Sequence, residues 1–346
     1  MKINNRLIGP GQPCYVIAEL SANHGGSLDH ALAIVRGAKA AGADAVKIQT
    51  YTADTMTLDV KSDLFRVKGG LWDGQYLYEL YQKASTPWEW HAPIKEEAEK
   101  SGLHFFSTPF DETAVDFLEK LNVPAYKIAS FELIDDPLLI RIGQTKKPVI
   151  MSTGMASLEE IRHALDLLHA HGSSEVALLK CVSAYPAPAD HMHLRTIPDM
   201  QQRFKCPVGL SDHTLGHIVP VTGVALGAQL LEKHVKLNAG DDSVDAAFSM
   251  TLEDFGQMVQ AVRLAELAMG QISYSRIAQE SESFAHRRSI FCSRDIKKGE
   301  IFTKDNIRVV RPGQGLSPKF YGKVLGTRAK EDIGRGKPLS QEMVDG

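Results

Sequence analysis

Val208-Gly-Leu-Ser211-Asp-His213-Thr and, a helix's length further on, Leu230-Leu-Glu232-Lys-His234-Val are the two runs on which the fold turns. Each is a short β-rich apolar stretch that ends in ionisable side chains, one of them a histidine. The same kind of run recurs upstream at Cys14–Glu19, Ala45–Gln49, His104–Ser107, Ala125–Ile128, Val149–Ser152 and Val176–Cys181. Helical patterns separate them: Leu28–Ala41, Trp88–Ser101, Asp111–Leu121, Ser157–His171, a fainter one about Pro198–Arg203, and Leu252–Leu267 at the end. Eight strand–helix units in about 255 residues have the size and rhythm of an α/β fold of the (β/α)8 TIM-barrel type. A doubly wound open sheet shares the alternation, but no G-x-G-x-x-G follows the first run.

The strand ends choose the barrel. They carry Glu19, then Lys47 and Gln49, Ser107 and Thr108, Lys127 and Ser130, Ser152, Ser183, Ser211 and His213, and finally Glu232 and His234. A ring of such groups at the carboxyl ends of eight parallel strands is how barrel enzymes are built. The plainer reading is that strands stop where polar loops begin, yet these carboxylates, lysines and histidines lie within or beside the apolar runs.

Composition narrows the partners. The chain has 346 residues, 43% hydrophobic and 23% charged, and a formal net charge of -3. That is the profile of a globular protein with no overall basic field for nucleic acid. Four scattered cysteines, Cys14, Cys181, Cys206 and Cys292, form no C-x-x-C pair, which favours a reducing compartment over a disulfide framework. The opening MKINNRLIGPGQPC has no apolar signal core, and no apolar run is long enough to span a membrane. A cytoplasmic protein without membrane or nucleic-acid partners is expected.

After a barrel domain over 1–270, the polar stretch 271–286 reads as a linker and 287–346 as a small β-rich module. The module holds an internal repeat: Asp295-Ile-Lys-Lys-Gly299 returns as Asp332-Ile-Gly-Arg-Gly336, each followed by a Thr/Ser helix-start signal.

The chemistry falls into two constellations. Lys47 and Lys127 sit inside β-runs, where an unpaired buried ammonium is costly, so each must meet an anion or reach the strand end. Lys47 and Gln49 share a face by strand periodicity. With hydroxyls at Thr108, Ser130, Ser152, Ser183 and Ser211, the two lysines suit a phosphate and a carboxylate together. A Schiff-base lysine of an aldolase is the rival reading. His213 and His234, at the ends of adjacent strands, would make an open site for a divalent Lewis acid rather than a closed structural zinc site. His191 and His193 form an H-x-H in a Pro-rich loop and read as a decoy. A third feature, the connection 51–91, holds Trp72, Trp88 and Trp90 among tyrosines; it either packs on the barrel or offers faces to a sugar.

In order along the chain, Ala18-Glu19 with Asn23-His24, Lys47-x-Gln49, Tyr126-Lys-Ile-Ala-Ser130-x-Glu132, Met151-Ser-Thr-Gly-Met155, Tyr185-Pro186, Gly209-Leu-Ser-Asp-His213 and Glu232-Lys-His234 resemble the sialic acid synthase family. Arg311-Pro-Gly-x-Gly315 resembles that family's antifreeze-like (SAF) domain. Gly70-Leu-Trp72, Thr86-Pro-Trp88-Glu-Trp90-His91 and Asp245-Ala-Ala-Phe248-Ser249 are similar to the pseudaminic acid branch, although Asp241-Asp-Ser-Val244 is less rich in Gly and Pro there.

The resemblance implies condensation of phosphoenolpyruvate with an open-chain amino sugar. It implies that Lys47, Thr108, Lys127, Ser130, Ser152, Ser183 and Ser211 hold phosphoenolpyruvate and that His213 and His234 bind a divalent ion, Mn, with Mg or Co as alternatives. Glu19 and Glu132 become the catalytic carboxylates, with Lys127 beside them. Gln49, Tyr185 and Asp245 would meet the sugar, and Arg311 would reach it from the partner's SAF module in a domain-swapped homodimer. Within the family an N-acetylneuraminate or legionaminate synthase is the alternative, and outside it a non-catalytic sugar-binding protein.

Overall fold

The computed structural model describes residues 1–345. The chain divides into two compact units, Met1–Gly270 and Gln271–Gly346.

The first unit is the expected closed parallel barrel. Its strands are β1 (Tyr15–Glu19), β2 (Ala45–Thr50), β3 (His104–Pro109), β4 (Tyr126–Ile128), β5 (Val149–Ser152), β6 (Val176–Cys181), β7 (Val208–Asp212) and β8 (Leu230–Lys236). They pair in sequence order, and β8 pairs with both β7 and β1, which closes the ring. Strand periodicity sorts the side chains into two cores. Val16, Ala18, Val46, Ile48, Leu178, Leu210 and Leu231 face the surrounding helices. Tyr15, Ile17, Ala45, Phe106, Ala125, Ile150, Ala177, Leu179 and Leu230 fill the lumen.

A short hairpin precedes β1, pairing Lys2–Ile3 with Arg6–Leu7. It drives Ile3 and Ile8 into the same lumenal cluster from below. Two-residue strands leave no periodic trace, so the sequence reading passed over this plug.

The helices begin where local chemistry lets them. Ser157 and Glu160 form a reciprocal capping box on Leu158–Ala170, with Glu160 N donating to Ser157 Oγ at 3.2 Å and Ser157 N to Glu160 Oε2 at 2.7 Å. Asp111 caps Glu112–Lys120 and Asp135 caps Asp136–Gln144, a helix with proline in its first turn. This last helix and Ile218–Ala225 were not singled out in the sequence; each carries an internal glycine and a proline early in the helix. The fainter pattern about Pro198–Arg203 is a helix, Thr196–Phe204. Trp88–Ser101 divides into a 3-10 turn, Trp88–Trp90, and a helix, His91–Lys100.

In the second unit the repeat closes on itself. Ile296 and Ile333 exchange backbone hydrogen bonds of 2.9 and 2.8 Å. Asp332 accepts from Lys298 N at 2.8 Å, and Asp295 accepts from Arg335 N at 2.8 Å. Each copy's aspartate thus caps the other copy's glycine turn. Ile290, Phe302, Ile307, Ile333, Leu339 and Val344 form its core. Arg311 is exposed, just beyond the strand Ile307–Val310.

Candidate active site

Above the lumenal core the inward-facing positions turn polar. Two residues beyond Ile17 stands Glu19, beyond Ala45 Lys47, beyond Ala125 Lys127, and beyond Leu230 Glu232 and His234. They surround a cavity of about 620 Å³ at the carboxyl ends of the strands. Lys47, Gln49, Thr108, Lys127, Ser130, Glu132, Ser152, Tyr185, Ser211, His213, His234 and Asp245 all line it.

Two candidates in the barrel do not. Glu19 lies behind Lys47, paired with its ammonium, and its other oxygen accepts from Ser21 N at 2.7 Å. Ser183 lies beside Gly154: a Cβ on that glycine would come within 2.5 Å of Ser183 Oγ and 3.0 Å of Ser130 Oγ. Gly154 N donates to Ser130 Oγ at 3.1 Å, so the missing side chain lets backbone and both hydroxyls meet.

The two lysine ammonium groups meet in this cavity. Lys47 Nζ donates to Thr108 Oγ1 at 3.0 Å, and Lys127 Nζ donates to Ser152 Oγ at 2.7 Å and Ile128 O at 3.1 Å. Between the ammonium groups sits Glu232, with Oε1 3.6 Å from Lys47, 3.7 Å from Lys127 and 3.5 Å from Ser211 Oγ. Burial alone would lower the Lys47 ammonium, but Glu19 and Glu232 outweigh it and hold it above its ordinary value. Burial wins at Lys127, which is lowered against the pull of Glu232. Glu232 would be raised by burial, yet Lys127 and Lys47 bring it below the usual carboxylate range. Two carboxylates thus keep two like charges together in a site open to a ligand. The sequence reading named Glu232 at a strand end but gave it no role; its place two residues from His234 on one strand was the available signal.

The same cavity carries the imidazoles. Gly209 lets β7 and β8 close up, since a Cβ there would lie 2.3 Å from Leu230 O. The His213 and His234 ring centroids are then 5.3 Å apart. His213 Nδ1 lies 3.1 Å from Val182 O, which assigns it the proton and leaves Nε2 with a free lone pair. Buried His234 Nδ1 has no hydrogen-bond partner, and Asp245 Oδ2 is 4.0 Å away. Burial, with the nearby cations, holds His234 well below its ordinary value, in the neutral form that metals bind. No group of three or more potential ligands forms among the described residues. Burial would lower His213, but Cys181 and the Val182 carbonyl outweigh it and hold it above its ordinary value. The two adjacent imidazoles, one with an orphaned nitrogen, nevertheless fit an open divalent site whose remaining positions water or substrate would fill.

Behind the imidazoles, Lys233 bonds Asp212 and Thr214 O on the outer face of the barrel. Asn23 donates to Val235 O at 2.8 Å and Ser249 Oγ at 2.7 Å, and accepts from Ser243 Oγ at 2.5 Å, tying down the loop that carries Asp245. Ser21 Oγ bonds Asp245 directly. Sequence reasoning assigned no role to Ser21, Asn23, Asp212 or Lys233.

Glu132 borders the cavity on the turn after β4. Burial pushes its carboxyl up to about 7, and its Oε2 has no partner. Phe248 packs edge-on against both imidazoles, with centroids 6.0 and 5.0 Å away. The tryptophans divide between the two readings offered for their loop. Trp88 and Trp90 are structural, packed on Phe117 and His24, whereas Trp72 lines the cavity beside Tyr185.

Comparison with known proteins adds the lineage. The NeuB family model matches residues 34–274 and the SAF domain model residues 287–345. A pseudaminic acid synthase of Campylobacter jejuni is 46% identical over 329 residues, 94% of this chain and 95% of that one. An N,N'-diacetyllegionaminic acid synthase of Legionella pneumophila is 34% identical, covering 97% of this chain and 96% of its own. Among solved structures, the spore coat polysaccharide biosynthesis protein spsE of Bacillus subtilis superposes with a TM-score of 0.68 at 32% identity, over 100% of this chain and 99% of that one.

Proposed function

The chain belongs to the NeuB family, and from that premise we propose that it is a pseudaminic acid synthase. It would condense phosphoenolpyruvate with 2,4-diacetamido-2,4,6-trideoxy-L-altrose to give pseudaminic acid and phosphate. The observation that carries this reading is one cavity that holds both two carboxylate-paired lysines and two adjacent imidazoles. Phosphoenolpyruvate and an aldehyde can be held there side by side. The higher identity to the relative named for pseudaminic acid than to the one named for diacetyllegionaminic acid supports the choice of acceptor.

Lys47 and Lys127, with Thr108, Ser130, Ser152 and Ser211, would bind the phosphate and carboxylate by charge-assisted hydrogen bonds. Ser183 and Glu19 would act from behind, one beside Ser130 and the other on Lys47. The nucleophilic methylene of phosphoenolpyruvate forms a bond to the sugar's C1 aldehyde, leaving positive character at its C2. Water adds at that carbon, and the C–O bond to phosphate breaks. His213 and His234 would hold the divalent ion, Mn by preference, which supplies Lewis-acid polarisation when bound. Glu132, raised to about 7, is suited to deliver or accept a proton at the sugar oxygen near neutral pH. Gln49, Tyr185 and Asp245 would orient the sugar, while Phe248 and Tyr185 pack against the imidazoles.

We further assign Arg311 to the sugar's amide from a partner chain's SAF module, in a homodimer. Mixing Lys127→Ala and Arg311→Ala chains would then restore about a quarter of parental activity, because half of randomly formed dimers regain one intact site of two. No recovery in verified heterodimers would refute the shared site. A cytoplasmic setting agrees with four free cysteines and with no described helix long and apolar enough to cross a membrane.

The test of function is phosphate release from phosphoenolpyruvate with a panel of diacetamido sugars and N-acetylmannosamine. Release only with a legionaminate or neuraminate precursor would move the acceptor within the family. Burial lowers Lys127, a property that a Schiff-base aldolase would use. Substrate trapped on that lysine by borohydride, without phosphate release, would favour that mechanism.

A further inference from the structure

The catalytic cavity shares part of its wall with a second one. Trp72, Leu80 and Val244 line the catalytic cavity, and the same three line the second, of about 340 Å³. Trp72 Nε1 donates to Val244 O at 3.1 Å, which joins the loop after β2 to the loop after β8 across the division. The indole is braced on its catalytic side, 5.8 Å from the Tyr185 ring and 6.3 Å from Phe248. Tyr185 in turn stands 4.5 Å from His213. Besides those three, the second cavity is lined by apolar Leu71, Ala246 and Ala247 and by six polar or charged residues, Lys83, Lys236 and Asp241 among them.

We propose that Trp72 and Val244 form a partition that sets how long an N-acyl group the acceptor sugar can carry, and that opening it admits longer acyl groups into the second cavity. The inference rests on the condensation reading above. Tyr185 stands between His213 and Trp72, so an open-chain sugar whose aldehyde lies at the imidazoles and whose chain follows Tyr185 brings an acylamino branch against the indole. An acetyl group ends there. A longer chain would have to enter space that a hydrogen-bonded ring occupies, whereas the cavity beyond has apolar surface at Leu71, Ala246 and Ala247 to receive it.

The test compares kcat/KM by phosphate release for the diacetamido sugar and its N-propionyl and N-butyryl analogues. The parent should fall by at least about 10-fold from acetyl to butyryl, the scale of one or two misfitted methylenes. Trp72→Ala should bring that ratio to within about 3-fold, and Val244→Gly should relax it in the same direction. Trp72→Phe, which keeps an aromatic wall, should stay selective. Equal use of acetyl and butyryl sugars by the parent overturns the proposal. So does a ratio unchanged in both Val244→Gly and folded Trp72→Ala. A parent with no turnover of the diacetamido sugar condemns the functional reading instead, and the acetyl control separates the two failures.

Discussion

The floor and the rim of this barrel are made from the same strands, a few residues apart, and they solve opposite problems. At the floor the inward positions are Tyr15, Ala45, Ala125, Ile150, Ala177 and Leu230, sealed by Ile3 and Ile8 of the hairpin. Polar groups there close on one another: Tyr15 Oη meets His104 Nδ1 at 2.7 Å, and Arg263 joins Asp44 at 3.1 Å and Glu266 at 3.2 Å. Arg6 Nε and Gln229 Oε1 are left over. At the rim the same faces carry Glu19, Lys47, Lys127, Glu232 and His234, all buried. Glu132, Ser183, Glu232 and His234 each keep an atom without a partner there. Buried charge rarely adds stability when set against well-packed apolar residues. The floor therefore carries the fold, while the rim gathers buried charge and unpaired polar atoms around a cavity.

The strongest way to break this comparison is to empty the rim. Chelation should lower turnover by at least about 10³-fold, and Mn should restore it, with His213→Ala and His234→Ala equally inactive while phosphoenolpyruvate still binds. Neither histidine change should lower the melting temperature as a floor change would. Full activity in enzyme shown by metal analysis to be stripped would remove the metal from the account.

The matching change at the floor is Phe106→Ala, which removes a fully buried lumenal ring. It should cost about 3–5 kcal/mol in denaturant unfolding, with kcat of the folded fraction close to parental. A loss below about 1 kcal/mol would mean that the hairpin and lumen do not anchor the fold.

Lys47→Met and Lys127→Met should each weaken phosphoenolpyruvate binding by about 1.5–3 kcal/mol in calorimetry, with smaller changes for the sugar. Unchanged affinity in both would make the lysines structural.

Glu132 sharpens the contrast through pH. Its folded carboxyl stands near 7, above the ordinary 4.5, so burial penalises its ionised form. The stability present below pH 4.5 is then lost as pH rises through about 7. Glu132→Gln should unfold about 1–2 kcal/mol later than the parent at pH 8, with the gap closing by pH 4.5, while turnover falls. A variant no more stable at pH 8 would contradict the assignment.

The alternation of faces is written in the chain, which is why Lys47, Lys127, His213 and His234 could be placed on one rim before any coordinates. The depth of each side chain is not written there. Glu19 and Ser183 share the rim's periodicity, yet packing sets one behind Lys47 and the other beside Gly154. Glu232 was legible as a strand-end residue but not as the carboxylate between two lysines, because that depends on where three strands bring their side chains. Asn23 and Ser21 act on residues more than two hundred positions away, and nothing local announces such a tie. The hairpin plug was missed because two-residue strands carry no period.

The central claim is that this rim joins phosphoenolpyruvate to an amino sugar with C–O cleavage. Phosphoenolpyruvate labelled with ¹⁸O at the oxygen bridging C2 and phosphorus tests it most directly, incubated with the diacetamido sugar and followed by mass spectrometry. The account predicts one nine-carbon acid per phosphate, with the label in the phosphate. Label retained in the sugar acid, or acid formed without phosphate, would contradict it.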